Sequence, residues 1–344
     1  MINKFFISGL EHYHPVGVLS NRLFEASMDT SDKWIMDHLG IKERRFLSDY
    51  SGRTPVFELG RRAIEKVRTK RPHEFNKIDY IISCGSMDDF NYPSLANLIS
   101  GYFELPVPCL HLKAACASFV YSVQVGKALL LSGAATNILI VNSEPFTRQV
   151  DYGDRSSAVL FGDASVAFIL NTTNGEFQVR EVSTGGRGIP IVSATRVSQS
   201  SHKTVLDFVR GNLPDGVPEL NRRKNLEVKK FEQSGKEVKA FVLNEIPKIV
   251  EGTITKQGLN KDDISWFIFH QANLRLMESL CEKLSLPAEK HLFNIDSFGN
   301  TSSAGAPSVL SMNLEQGRFQ CGDLIVLTTF GAGMCWGTLT LTKS

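Results

Sequence analysis

A cysteine, a histidine and an asparagine set the chemistry this chain can attempt. Cys116 stands in Leu112-Lys113-Ala114-Ala115-Cys116-Ala117-Ser118-Phe119, and from Val120 to Leu131 apolar side chains recur at helical spacing. Before it, Val107 to Leu112 is a short apolar run that reads as a buried strand. A thiol at such a junction meets unpaired backbone N–H groups and the positive end of a helix dipole, and both favour the thiolate, the nucleophilic form. His270 falls where an apolar strand gives way to a helix, in Phe269-His270-Gln271-Ala272-Asn273. Asn300 lies in Asn294-Ile295-Asp296-Ser297-Phe298-Gly299-Asn300-Thr301-Ser302-Ser303-Ala304. Each stretch alone has a plainer reading. An alanine-flanked cysteine fits a small core residue, a histidine at a strand end a structural hydrogen bond, and Gly-Asn a turn. The informative feature is their order, closed by Phe330-Gly331-Ala332-Gly333.

The elements that must position these residues alternate. Strands are expected at Phe5–Leu10, Ile78–Cys84, Asn137–Asn142 and Ala164–Leu170, and helices from Asp32 to Gly40, from Pro55 to Val67 and after Pro93. The second half repeats this grammar with helix 237–250, strand 264–270, helix 274–284, helix 302–314 and strand 324–330. Such alternation indicates an α/β chain. Ile78-Asp79-Tyr80-Ile81-Ile82-Ser83 and Ile264-Ser265-Trp266-Phe267-Ile268-Phe269 each follow a helical segment, and some thirty residues later each half has a small-residue helix start. The chain reads as an internal duplication, residues 1–175 carrying Cys116 and 176–344 carrying His270 and Asn300, with Cys116 and Asn300 at equivalent helix starts.

Composition excludes several classes. The 344 residues carry 38 basic and 36 acidic side chains, a net charge of +2, which gives no whole-chain case for nucleic-acid binding. Six scattered cysteines without C-x-x-C spacing fit reduced thiols of a cytoplasmic protein. No signal peptide and no membrane-length apolar window is expected. His12 and His14 lack further ligands for a metal. Gly185-Gly186-Arg187-Gly188 reads as a glycine turn rather than a phosphate loop, and Arg222-Arg223-Lys224 with Lys229-Lys230 as a solvated loop.

The ordered set resembles the thiolase superfamily, and within it the β-ketoacyl-[acyl-carrier-protein] synthase III family of condensing enzymes. The similarity runs nearly end to end. It rests on Thr30-Ser31-Asp32-Lys33-Trp34-Ile35 with Gly40-Ile41, Ala114-Ala115-Cys116-Ala117, Phe161-Gly162-Asp163-Ala164, His270-Gln271-Ala272-Asn273-Leu274-Arg275, Gly299-Asn300-Thr301-Ser302 and Met334-Cys335-Trp336-Gly337. The resemblance implies a five-layered αβαβα thiolase-like fold built from two similar halves, acting as a homodimer without a cofactor or metal. It implies Cys116 as nucleophile, acylated by a coenzyme A or phosphopantetheine (carrier-protein) thioester. His270 and Asn300 would then support decarboxylation of malonyl-carrier protein or malonyl-CoA and its attack on the acyl-enzyme. The backbone N–H groups of Cys116 and Ala332 would form the oxyanion hole, and Phe330 an apolar wall. Ala332 stands where the family usually has glycine.

Substrate-binding residues also come from the resemblance. Trp34 and Arg155 would clamp the adenine of coenzyme A, Arg275 would contact a carrier protein, and Tyr92 would line a partner subunit's acyl pocket. The entrance departs from the family pattern: His38 replaces an arginine, Val238-Lys239-Ala240 stands at the tunnel mouth, and Glu282 replaces a lysine. Lys113, beside the nucleophile, replaces a small residue. These departures point to a specialised lipid or secondary-metabolite pathway. A cysteine and histidine alone also serve acyl transfer or thioester hydrolysis, or could persist in a non-catalytic partner subunit. The asparagine is what favours carbon–carbon bond formation.

Overall fold

The computed structural model describes residues 4–189, 191–194 and 231–344, so the basic run at 222–230 lies outside the described residues. Ten strands carry the architecture: β1 (Phe5–Tyr13), β2 (Tyr80–Cys84), β3 (Cys109–Leu112), β4 (Asn137–Pro145), β5 (Asp163–Asn171), β6 (Phe177–Gly186), β7 (Trp266–Phe269), β8 (His291–Leu292), β9 (Leu324–Gly331) and β10 (Cys335–Lys343). Their hydrogen-bonded order is β8-β7-β9-β10-β6-β1-β5-β4-β2-β3. Read inward from each edge, both sets of five have the order third, second, fourth, fifth, first. In each set the second strand pairs in parallel with the third and fourth, and the fifth runs antiparallel to its neighbours. The sets meet where β1 pairs antiparallel with β6, Phe6 opposite Gln178.

Side-chain alternation along these strands separates three apolar layers. Ile82, Ile138 and Ile140 of the first set and Ile268, Ile325 and Leu327 of the second face a shared centre. That centre is filled by α4 (Ser118–Ser132) and α8 (Gly305–Glu315), through Phe119, Val120 and Val123 on one and Val309 and Leu310 on the other. The alternate residues face outward. Ile81, Leu139 and Val141 meet α2 (Pro55–Lys70) and α3 (Leu95–Tyr102). Phe267, Phe269 and Val326 meet α5 (Gly235–Asn244), α6 (Ile246–Lys256) and α7 (Leu274–Lys283). Helix, sheet, helix, sheet, helix gives the five layers. A fourth cluster joins α1 (Asp32–Leu39) to the segment around Phe146–Phe161 and covers the site from one side.

Several sequence expectations change. The single helix expected over 237–250 is two, because Pro247 lacks an N–H and opens α6, breaking the run at Glu245. Gly185 and Gly186 do not form a turn: they end β6, paired with Trp336 and Cys335. One window, Ala115–Ser132, does reach the length and apolar composition of a membrane span. It is the α4 region, whose buried face is apolar because it packs between two sheets, with Phe119, Val120 and Val123 fully buried. All six cysteines are free. His12 Nδ1 lies 3.0 Å from Ser311 Oγ, and His14 stacks on Phe298.

Candidate active site

A pocket of about 460 Å³ opens between the two halves, and Cys116, His270, Asn300, Phe330, Ala332, Trp34 and Arg155 all line it. Cys116 sits in a 3₁₀ turn, Ala115–Ala117, that feeds directly into α4. Ala115 holds φ +46°, a left-handed conformation uncommon for a residue with a side chain. The second half has the same device: Ser302 holds φ +52° in the 3₁₀ turn Ser302–Ala304 that feeds α8. By position in the turn the counterpart of Cys116 is Ser303, and Asn300 lies just before the turn. The two starts touch, with Cys116 Sγ 3.4 Å from Ser302 Oγ.

The thiol is where the sequence expectation fails. Burial pushes Cys116 up to about 12, opposed by the Ser302 hydrogen bond and reinforced by the negative charge of Glu144. Burial thus favours the thiol as the resting form, against the thiolate that the helix start leads one to expect. Burial likewise holds His270 down at about 3, so its imidazole is neutral at physiological pH. Its ring meets Phe330 edge to face, with centroids 5.1 Å apart and planes at 90°.

The histidine and asparagine are fixed through backbone contacts. The His270 N–H donates to Thr328 O at 2.8 Å on β9. The neighbouring Gln271 is fully buried; its Oε1 accepts from the N–H groups of Asn294 and Ile295, tying the histidine loop to the asparagine segment. Asn300 donates its N–H to Leu160 O at 2.8 Å and accepts from Gly162 N–H at 3.1 Å. Gly162 must be glycine, since a Cβ there would lie 2.2 Å from Phe298 O. The Asn300 side-chain oxygen accepts from the Ser302 N–H at 2.9 Å, which leaves the amide NH₂ as the group able to serve a ligand.

Gly331 brings the closing turn against the nucleophile: a Cβ there would lie 2.6 Å from Cys116 N. The left-handed positions of that turn fall on Gly333 (φ +83°) and Met334 (φ +41°). Ala332 is thus spared a left-handed conformation, and an alanine fits there.

The substrate-binding residues divide. Arg155 lies 4.9 Å over the Trp34 ring and donates to Asp29 O at 2.5 Å, while His38 stacks on the same indole at 4.6 Å. Trp34 is therefore already covered by both groups, and the adenine expected between Trp34 and Arg155 would require the guanidinium to move. Lys239 is exposed on α5, and its neighbour Val238 lines the pocket instead. Arg275, also exposed, pairs with Glu278 at 2.9 Å and donates to Met36 O. Tyr92 is 86% exposed and outside the pocket wall. Lys113 lines the pocket and pairs with Asp88, whose other oxygen lies 3.0 Å from His111 Nε2.

Sequence reasoning missed Glu144 and Ser86. Glu144 ends the apolar run of β4 fully buried, accepting from the Ser86 N–H, the Ser86 hydroxyl and the Ser303 hydroxyl, the last at 2.6 Å. The signal was present as Asn142-Ser143-Glu144, a polar triplet closing a buried strand. The aromatic lining from Phe146, Phe161 and Phe231 was also missed. Among the described residues no cluster of histidine, cysteine or carboxylate side chains could hold a metal ion.

A five-layered fold of two like halves, with a thiol, a neutral imidazole and an oriented amide on one apolar pocket, defines an enzyme class working on acyl thioesters. Comparison with known proteins narrows it. The family described as 3-oxoacyl-[acyl-carrier-protein] synthase III matches residues 110–188, and its C-terminal domain matches 254–343. A β-ketoacyl-[acyl-carrier-protein] synthase III of Staphylococcus saprophyticus is 34% identical, with 97% of each chain covered. One of Ruegeria pomeroyi is 31% identical over 99% of both. The crystal structure of the Thermus thermophilus enzyme of that name superposes with a TM-score of 0.84 at 31% identity, covering 97% of this chain and 98% of the other. The chain belongs to the β-ketoacyl-[acyl-carrier-protein] synthase III family of condensing acyltransferases.

Proposed function

We propose that Cys116 takes an acyl group from a coenzyme A or carrier-protein thioester and that the acyl group is then condensed, with loss of CO₂, onto a malonyl-type thioester. The observation that carries this reading is the meeting of the Cys116 thiol, neutral His270 and the tethered Asn300 amide on one pocket. Sulfur attacks the thioester carbonyl, and the donor's sulfur leaves as a thiolate. The backbone N–H groups of Cys116 and Ala332 receive the developing oxyanion, where each such donor contributes about 10²–10³ in rate. When the extender loses its carboxylate, negative charge collects on the thioester oxygen as an enolate. His270 and the Asn300 NH₂ donate to that oxygen, and the low value of His270 keeps it a neutral donor. Buried Phe330 offers the extender's carboxylate no polar partner, which favours its departure as CO₂. The enolate carbon attacks acyl-Cys116 and the cysteine sulfur leaves.

The same reading assigns Trp34 and Arg155 to the adenine end of coenzyme A and Arg275 to a carrier-protein surface. It takes the protein as a cytoplasmic homodimer in which exposed Tyr92 meets the partner, and it needs no cofactor. Purified protein given an acyl-CoA panel and malonyl-carrier protein should gain the acyl mass on Cys116, release CO₂ and form a ketoacyl product. Acylation of Cys116 without CO₂ release would leave only acyl transfer or hydrolysis and sink the condensation reading.

A further inference from the structure

The Cys116 thiol has to lose its proton to attack, yet the group within hydrogen-bonding reach of its sulfur is a serine. Cys116 Sγ lies 3.4 Å from Ser302 Oγ, which lies 3.0 Å from Ser86 Oγ, which donates to Glu144 Oε1 at 3.2 Å. Glu144 is fully buried, and its bonds come from neutral donors: the Ser86 N–H at 3.0 Å, the Ser303 N–H at 3.3 Å and the Ser303 hydroxyl, which is itself held by the Asn142 amide. The titratable groups facing it are the Cys116 thiol and, behind it, the Cys84 thiol, both held neutral by burial. No ion pair of the described residues includes Glu144. A carboxyl enclosed without a cation, three hydrogen bonds from a nucleophile, is an unusual arrangement for a merely structural acid.

We propose that Glu144 is the proton store of the nucleophile, acting through the Ser302 and Ser86 hydroxyls. The inference rests on the reading of Cys116 as the acylated residue. As the sulfur bonds to the thioester carbon, the S–H proton passes to Ser302 Oγ, the Ser302 proton to Ser86 Oγ, and the Ser86 proton to the Glu144 carboxylate. The substrate's sulfur leaves as a thiolate and takes its proton from solvent. Acyl-Cys116 then sits beside a neutral acid. When the enolate displaces the cysteine sulfur, the same three protons return along the same bonds and the resting thiol is restored. Glu144 touches no substrate in this scheme; it is a positioning residue for a proton. Burial lifts it to about 7, opposed by its hydrogen bonds, so it is ionised and able to accept above that pH and protonated below it.

The test is the pH dependence of single-turnover acylation of Cys116 by acyl-CoA, read by intact-protein mass spectrometry. The wild-type rate should rise through a pH of about 7 and level off. Ser302→Ala cuts the relay and leaves the Ser86 and Ser303 bonds to Glu144 in place, while Glu144→Gln removes the acceptor. Either variant should acylate about 10²-fold more slowly at pH 8, with no break near 7, the rate climbing steadily toward the thiol's own ionisation. Difference infrared spectra on acylation should show a new protonated-carboxyl band in wild type and none in either variant. If Glu144→Gln fails to fold, Ser302→Ala decides. A Ser302→Ala profile that keeps its break near 7, or a wild-type spectrum without the carboxyl band, overturns the proton store while Cys116 acylation stands. A wild type that never acylates at Cys116 overturns the functional reading and this inference with it.

Discussion

Replacing Gly331 by alanine tests the oxyanion geometry with one methyl group. The residue has φ −164° and ψ −172°, extended backbone open to any residue, so conformational preference contributes nothing to the outcome. The effect is steric. The new Cβ would lie 2.6 Å from Cys116 N and 3.2 Å from the Cβ atoms of Ala115 and Cys116. To reach even a tight contact of 3.0–3.4 Å, closer than most Cβ atoms come to a neighbour, the nucleophile turn or the closing strand must give by 0.4–0.8 Å. Displacing the hole against the sulfur by that much should slow acylation by about 10²-fold, roughly 2.7 kcal/mol of transition-state stabilisation. Overpacking of one methyl costs about 1–3 kcal/mol of folding stability, which a chain of this size tolerates. The assay pairs two electrophiles on the same thiol. Iodoacetamide alkylation uses no oxyanion hole and should change by less than about threefold, whereas acyl-CoA transfer should collapse. Equal loss with both reagents would mean that the thiol itself was disturbed. Acylation within about threefold of wild type would refute the oxyanion geometry inferred from Gly331.

Asn300→Ala should leave acylation of Cys116 close to wild type and lower CO₂ release by about 10²–10³-fold, measured by trapping labelled CO₂. His270→Gln probes the acid side. Between a pH of about 3 and 6.5 the unfolded chain binds a proton at this position that the folded chain refuses, so this group makes stability rise with pH across that window. Denaturant titrations at pH 7 and pH 5 should show a smaller acid loss for His270→Gln than for wild type, and an equal loss would contradict the neutral imidazole. Trp34→Ala should raise the KM for acyl-CoA by about tenfold, the worth of one stacked base, and leave that for acyl-pantetheine unchanged. Equal shifts for both substrates would remove the adenine assignment.

The fold was legible because buried parallel strands read as apolar runs and several helices carry their caps in the sequence. Ser31 caps α1 with its side chain, and Gly40 ends it in a left-handed conformation. Cys116, His270 and Asn300 were legible through the order of their motifs, which resembles that of one family; each stretch alone had a plainer reading. What escaped was whatever depends on two distant segments meeting. Glu144 is a polar end to an apolar strand until Ser86 and Ser303, both far from it in sequence, close around it. The protonation of Cys116 escaped for the same reason: a helix start is visible in sequence, and the apolar enclosure that overrides it is not. Lys113 looked anomalous beside the nucleophile until Asp88 arrived from the loop after β2.

The two halves also explain why the chemistry is not divisible. The first half brings Cys116, and the second brings His270, Asn300 and Phe330. Ser302 sits on the seam and serves both. Its N–H holds the Asn300 side-chain oxygen at 2.9 Å, which aims the amide, and its hydroxyl lies 3.4 Å from the sulfur. It does so from φ +52°, a conformation that costs a residue with a side chain about 1–2 kcal/mol and that the matching turn at Ala115 also adopts. A helix start in the ordinary conformation would turn the hydroxyl and the N–H away from these two partners together. The acylation half-reaction and the condensation half-reaction therefore share one strained residue, and a change that relaxes its backbone should weaken both.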